Sequence, residues 1–164
     1  MEENTNRIGY RPTWAEIDLD NLVYNYSQIR KKLSCGIKVM ACVKAEAYGH
    51  GLISVARQLS ACGVDWFAVA SIDEGIALRK AGITCPILVL GLILEQNIAP
   101  LFTYNITPTV CSESLASALN EQAKLRDQII NVHVKIDSGM GRIGIVHDKA
   151  YAFVKKLSSF PNIR

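Results

Sequence analysis

A lysine, a tyrosine and an arginine stand just beyond short apolar runs in this chain, and each is a residue type that does chemistry in such places. Val43-Lys44-Ala45-Glu46-Ala47-Tyr48-Gly49-His50-Gly51 follows the run Lys38 to Val43. By strand alternation Lys44 shares a face with Met40 and Cys42 at the carboxyl end of its strand, where parallel sheets build their sites. Partial burial among apolar neighbours would lower the ammonium pKa, and the neutral amine then attacks a carbonyl to form a Schiff base or carries a proton. A lysine reaching from a strand end to water fits the same position. Tyr48 can bond an anionic group through its hydroxyl, with Gly49 and Gly51 letting the backbone come close, although a Tyr-Gly-His-Gly loop also serves as a plain turn. His50 reads as a hydrogen-bonded loop or core histidine rather than a catalyst.

The second constellation is His133-Val134-Lys135-Ile136-Asp137-Ser138-Gly139-Met140-Gly141-Arg142. Val132, Val134 and Ile136 share one strand face, and Asn131, His133, Lys135 and Asp137 the other. On an edge strand that polar face would meet water, whereas on a central strand it would have to line a cavity. The Gly139 and Gly141 loop presents Arg142, whose guanidinium fork suits a carboxylate or phosphate but is equally an ordinary surface charge after a turn. Ile87 to Gly91 is a buried strand ending at a glycine, with Leu90 either lining a pocket or belonging to the core.

These residues need elements to hold them. Thr13 to Leu19 alternates as a half-buried strand, and Asp20 can cap a helix through Leu22, Tyr26, Ile29 and Leu33. Apolar runs follow at Lys38 to Val43, Trp66 to Ala70, Pro86 to Leu90, Thr107 to Val110 and Ile129 to Ile136. Amphipathic stretches lie between them, including one that Ser71 and Glu74 open as a capping box and a weaker one after Glu95. Near-continuous apolar strands alternating with helices predict a parallel sheet buried on both faces. Each unit takes roughly 20 to 30 residues, near the spacing of an eight-unit barrel. Five units are present, and after the helical stretch Lys149 to Leu157 a sixth strand would begin within Ser158 to Arg164, so the chain looks cut. A five-strand doubly wound sheet is the alternative on periodicity alone.

The chain has 164 residues, enough for one sizeable core, and is 49% hydrophobic and 20% charged, which excludes disorder, collagen and coiled coil. A net charge of +3 without a basic stripe gives little support to nucleic-acid or membrane-surface binding, so a small molecule is the expected partner. Met1 to Tyr10 has no apolar stretch of the signal-peptide kind, and Ile87 to Leu94 is too short to span a bilayer. The five cysteines (Cys35, Cys42, Cys62, Cys85, Cys111) show no CxxC and sit mostly in apolar stretches. They are expected as reduced core thiols of a cytoplasmic protein, without a metal site.

Taken together, Thr13-Trp14-Ala15-Glu16-Ile17-Asp18-Leu19, Val43 to Gly51, Ile87 to Gly91 and Lys135 to Gly144 resemble the alanine racemase family of fold-type III pyridoxal phosphate enzymes, from about Arg11 to the end. The resemblance implies a partial (β/α)8 TIM barrel, about five of eight strands over residues 13–164. A polar leader over residues 1–12 would precede it, and the Thr13 to Leu19 strand would belong with a C-terminal β domain that is absent here. It implies interconversion of L- and D-alanine for peptidoglycan precursors in a homodimer, with the second base, a tyrosine, from the partner subunit. It implies that Lys44 holds pyridoxal 5'-phosphate and is one of two acid/base residues at the substrate α-carbon. Tyr48 would contact the cofactor phosphate, and Arg142 would bond the cofactor's phenolic oxygen and the substrate carboxylate. Lys135 would be a carbamylated lysine orienting Arg142. Glu46 departs from the family's frequent asparagine, and the chain alone, lacking the second base, is expected to be inactive. Alternatives are a serine/alanine racemase of the resistance-associated type and a non-catalytic protein of pyridoxal phosphate homeostasis. An unrelated doubly wound phosphate-binding domain would need a GxGxxG or GxxxxGK turn, which the sequence lacks.

Overall fold

The computed structural model describes residues 13–164, so the expected polar leader over residues 1–12 lies outside the described residues. Helix α1 (Leu19–Lys31) starts where the Asp18 carboxylate accepts the Asn21 backbone N–H at 2.9 Å. The cap is therefore Asp18, two residues before the expected Asp20. This also corrects the Thr13 to Leu19 strand, because residues 13–18 join no strand among those described. A two-residue period becomes a strand only where another strand takes its backbone groups.

Strands β1 (Met40–Cys42), β2 (Trp66–Val69), β3 (Ile87–Val89), β4 (Thr107–Val110) and β5 (His133–Val134) form one parallel sheet in the order β1-β2-β3-β4-β5. Between them run α2 (Lys44–Gly49), α3 (Leu52–Ala61), α4 (Ile72–Lys80), α5 (Ala99–Thr103) and α6 (Glu113–Leu125). The weak helical segment after Glu95 is a 3-10 turn, Glu95–Asn97, followed by α5. The run Ile129 to Ile136 does not form one strand. It breaks at Lys135, after which β6 (Ile136–Asp137) pairs in parallel with β7 (Ile145–Val146) ahead of α7 (Ala150–Leu157). Ile163 makes a parallel bridge to Ile130, with Arg164 N–H donating to the Ile130 carbonyl at 3.0 Å. The chain thus turns alongside β5 where a further strand was expected.

Sequential strand order without reversal is barrel winding; a doubly wound sheet reverses at its switch point. The faces agree. Val43, Phe67, Val69, Ile87, Val89 and Val110 are buried in one core with Val55, Leu78, Leu101 and Leu119 of the helices. On the opposite face Ala68, Leu88 and Thr109 are buried too, so the inner strands are covered on both faces as expected, and the face opens at the β1 edge, where Met40 and Cys42 are exposed. That second face is concave. β2 and β5 lie three strands apart, about 14 Å across a flat sheet, yet the rings of Trp66 and His133 are 5.6 Å apart between centroids. The sheet and its helices form an arc of a (β/α) barrel.

The cysteines correct another expectation in part. Cys35 and Cys42 are exposed and Cys62, Cys85 and Cys111 half-buried, and all five are free thiols. Cys62 and Cys85 do pack against the core as expected, whereas Cys42 is exposed because it lies on the open face of β1. No helix among the described residues is long and apolar enough to cross a membrane, and none of their His, Cys, Asp and Glu side chains cluster as a metal site.

Candidate active site

Val43 ends the run of β1 in the core, donating its N–H to the Ala68 carbonyl at 2.9 Å, and the backbone then changes hand. Ala45, Glu46, Ala47 and Tyr48 have φ between 51° and 56° and ψ between 37° and 56°, a left-handed helical turn built without glycine. Such geometry costs about 1–2 kcal/mol per residue, so about 4–8 kcal/mol across the turn has to be offset by its surroundings. Several bonds do this. Ala47 N–H donates to the Val43 carbonyl at 2.9 Å and Gly51 N–H to the Glu46 carbonyl at 2.9 Å. His50 Nδ1 donates to the Ala47 carbonyl at 2.8 Å, which makes it a loop histidine satisfied by the turn. The Glu46 carboxylate accepts the Leu52 N–H at 3.1 Å, capping α3, whose own N-cap Gly51 has no side chain to do so. That is a physical role for the residue that departs from the family's asparagine.

From this turn Lys44 and Tyr48 face the open concavity. Lys44 is half-buried and its Nζ lies 6.0 Å from the centroid of the Tyr48 ring. Tyr48 is 59% exposed, and its hydroxyl meets Cys42 Sγ at 3.3 Å. The bond to Cys42 raises the phenol above its ordinary value, with lesser contributions from burial and from the Cys42 charge. The surroundings of Lys44 are less apolar than the alternation suggests, since Met40 and Cys42 are exposed.

At the other end of the sheet the Lys135 amine donates to the Leu90 carbonyl at 3.3 Å, spanning from beyond β5 to beyond β3. Leu90 therefore offers its carbonyl here as well as its side chain. Gly91 follows because a Cβ there would lie 2.3 Å from the Ala70 carbonyl oxygen, which draws the ends of β2 and β3 together. Asp137 folds back on its own loop, accepting from Gly139 N–H at 2.9 Å and Gly141 N–H at 3.0 Å. The Gly141 bond first, then that of Gly139, holds its carboxyl below the usual carboxylate range. Arg142, carried by that loop, is exposed, and among the described residues none approaches its guanidinium within hydrogen-bond or ion-pair distance.

Lys44 with Tyr48, and Lys135 with Leu90, are thus brought together in pairs on the edge formed by the carboxyl ends of parallel strands. Arg142 contacts neither pair. The edge presents an amine, a phenol, a second amine and a guanidinium, a set suited to an anionic carbonyl compound. Two residues of the site were not read as such in the sequence: Cys42, partner of Tyr48, and Glu74, which accepts the Ala45 N–H at 2.7 Å. Ser71-x-x-Glu74 was a legible signal for the second, though only as a helix start.

Comparison with known proteins gives the same answer from outside. The family model described as alanine racemase, N-terminal domain, matches residues 17–164. The alanine racemase of Halothermothrix orenii is 47% identical over 154 residues, covering 94% of this chain and 41% of that protein. The alanine racemase of Clostridium difficile 630 in complex with cycloserine superposes with a TM-score of 0.88 at 44% identity, over 93% of this chain and 42% of that one. The histidine racemase of Leuconostoc mesenteroides superposes with a TM-score of 0.80 at 27% identity, over 88% of this chain and 39% of that one. The chain spans about two-fifths of the length of the curated relatives it matches. These relatives favour neither the serine racemase nor the cofactor-homeostasis alternative. A curved, sequentially wound sheet, a lysine at its first strand end and a match over 148 of 164 residues lead to one conclusion: the chain belongs to the alanine racemase N-terminal domain family.

Proposed function

We propose that residues 13–164 are the lysine-bearing portion of a pyridoxal phosphate-dependent racemase that interconverts L- and D-alanine. The observation that carries this reading is Lys44 at the carboxyl edge of β1, on the open concave face, beside the hydroxyl-bearing Tyr48. The residues fit the cofactor. No salt bridge engages Lys44 among the described residues. The Tyr48 hydroxyl offers a donor to a phosphate.

Pyridoxal phosphate, when bound, supplies the electron sink that makes the substrate α-proton acidic. Lys44 holds the cofactor covalently through Nζ and, when free, takes or returns the α-proton on one face of the substrate. Tyr48 bonds the phosphate through its hydroxyl. Arg142 pairs through its guanidinium with the substrate carboxylate and the cofactor's phenolic oxygen, the charge-matched use for a fork that has no other partner here. Lys135 as a free amine serves the Leu90 carbonyl. Carbamylated by carbon dioxide, it would carry acceptor oxygens instead and become a partner for Arg142, which a carbamate resonance with carbon-13 bicarbonate would report.

Inversion needs a second acid/base group on the opposite face, assigned to a tyrosine of a partner subunit in a cytoplasmic homodimer. This portion alone is accordingly inactive. The deciding measurement is the absorbance of the chain with added pyridoxal phosphate, followed by borohydride reduction and peptide mapping. A single pyridoxyl label on Lys44 is the expected outcome, and label spread over surface lysines overturns the reading.

A further inference from the structure

Ser71 and Glu74 are placed to make a reciprocal capping box at the start of α4, and the structure completes only half of it. The Ser71 hydroxyl accepts the Glu74 N–H at 3.3 Å, as the motif requires. The Glu74 carboxylate should then return to the N–H of Ser71. Instead Oε2 accepts the Ala70 N–H at 2.6 Å, one residue further back, and Oε1 leaves the helix altogether to accept the Ala45 N–H at 2.7 Å.

Ala45 is the residue after Lys44 and the first of the left-handed turn. Its N–H therefore sits where the backbone changes hand, directly beside the functional lysine. Ala70 is the residue after β2. One carboxylate thus ties together the ends of β1 and β2 and fixes the peptide that carries Lys44. The Ala47 N–H holds the Val43 carbonyl, in the peptide before Lys44, whereas Glu74 takes the N–H of the peptide after it.

We propose that Glu74 is a positioning residue for Lys44, its carboxylate setting the peptide from which the amine is aimed into the concavity. This rests on the reading of Lys44 as the cofactor anchor. The chemistry is selective for glutamate. Both partners are donors, so both side-chain oxygens must accept. Glutamine has one acceptor and would turn an NH2 group towards the second N–H, and aspartate is one methylene short of spanning both.

The test compares Glu74→Gln and Glu74→Asp with the unaltered chain in two ways. The first is the rate of borohydride-trapped pyridoxyl labelling at Lys44, measured against the label on exposed lysines such as Lys149. The second is amide hydrogen exchange at Ala45 and Ala70. Glu74→Gln should slow Lys44 labelling about tenfold or more, the equivalent of one charge-assisted hydrogen bond, and speed exchange at Ala45 while Phe67 and Val69 stay protected. Glu74→Asp should fall between, and it carries the test if Glu74→Gln fails to fold.

Faster exchange at Ala45 with unchanged Lys44 labelling would overturn the proposal, leaving Glu74 a structural cap only. If the unaltered chain labels no lysine selectively, the reading of Lys44 fails instead, and the positioning role falls with it. The exchange data then report separately whether Glu74 still clamps the turn.

Discussion

Helix α4 carries one staple at each end, and the two ends of the sheet are held differently by them. At the amino-terminal edge Arg79 donates to the carbonyls of Ile83 and Cys85 ahead of β3, and to those of Tyr104 and Asn105 ahead of β4, at 2.7 to 2.9 Å. Burial pushes that guanidinium's pKa down, with a smaller opposing effect from Cys85, and its bonds to carbonyls compensate its lost water. At the carboxyl edge Glu74 accepts from Ala45 and Ala70 beyond β1 and β2. Arg79 joins loops of ordinary geometry, apart from single left-handed positions such as Asn105. Glu74 holds a turn whose whole run is left-handed. Similar hardware serves stability at one edge and geometry at the other, which is the division expected of a barrel whose chemistry sits at the carboxyl ends of its strands.

The strongest way to break this comparison is Arg79→Ala. Removing a half-buried fork that serves several carbonyls should cost about 2–3 kcal/mol in urea unfolding. Labelling of Lys44 per folded molecule should stay unchanged, and a selective loss there would erase the distinction between the edges. A smaller effect sharpens it from the other side. Ala45→Gly should stabilise the chain by about 0.5–1 kcal/mol, because glycine relieves the left-handed strain by more than it adds to unfolded-state entropy. A glycine within an ordinary right-handed helix does the opposite, so thermal unfolding reads the sign directly.

The smallest effect is a titration. The Tyr48 phenol is raised in the folded state, so the stability tied to its protonated form is present below its unfolded value near 10 and lost as pH climbs through the higher folded one. Cys42→Ala removes the chief cause, and the tyrosinate absorbance of Tyr48 should then appear at lower pH than in the unaltered chain.

Much of this was legible beforehand because it depends on local pattern. Thr107–Val110 is the expected strand to the residue, and Trp66–Val69 and Ile87–Val89 lie inside their expected runs, since consecutive apolar residues between turns leave little choice. Lys44, Tyr48 and the Asp137 to Arg142 loop were visible as residue types at strand ends. What was hidden depends on distant partners. Lys-Ala-Glu-Ala-Tyr consists of residues that accept a right-handed helix, and the left-handed turn exists because surrounding groups such as Glu74 and Val43 take its N–H groups. The strand assigned to Thr13 to Leu19 failed for the same reason inverted: its alternation was sound, but no described strand lies beside it. The thiol of Cys42 looked interior because its neighbours in sequence are apolar, while the pleat turned it outward.

The clamp on the lysine's turn has a further consequence, in the order of manufacture. Ala45 precedes its acceptor Glu74 by 29 residues. A ribosome adding about 5–20 residues per second makes the lysine roughly 1.5–6 s before the carboxylate that aims it. During that interval the segment is free to take the opposite hand. The turn therefore waits on the second βα unit, because its first N–H has no acceptor until the start of α4 has been made.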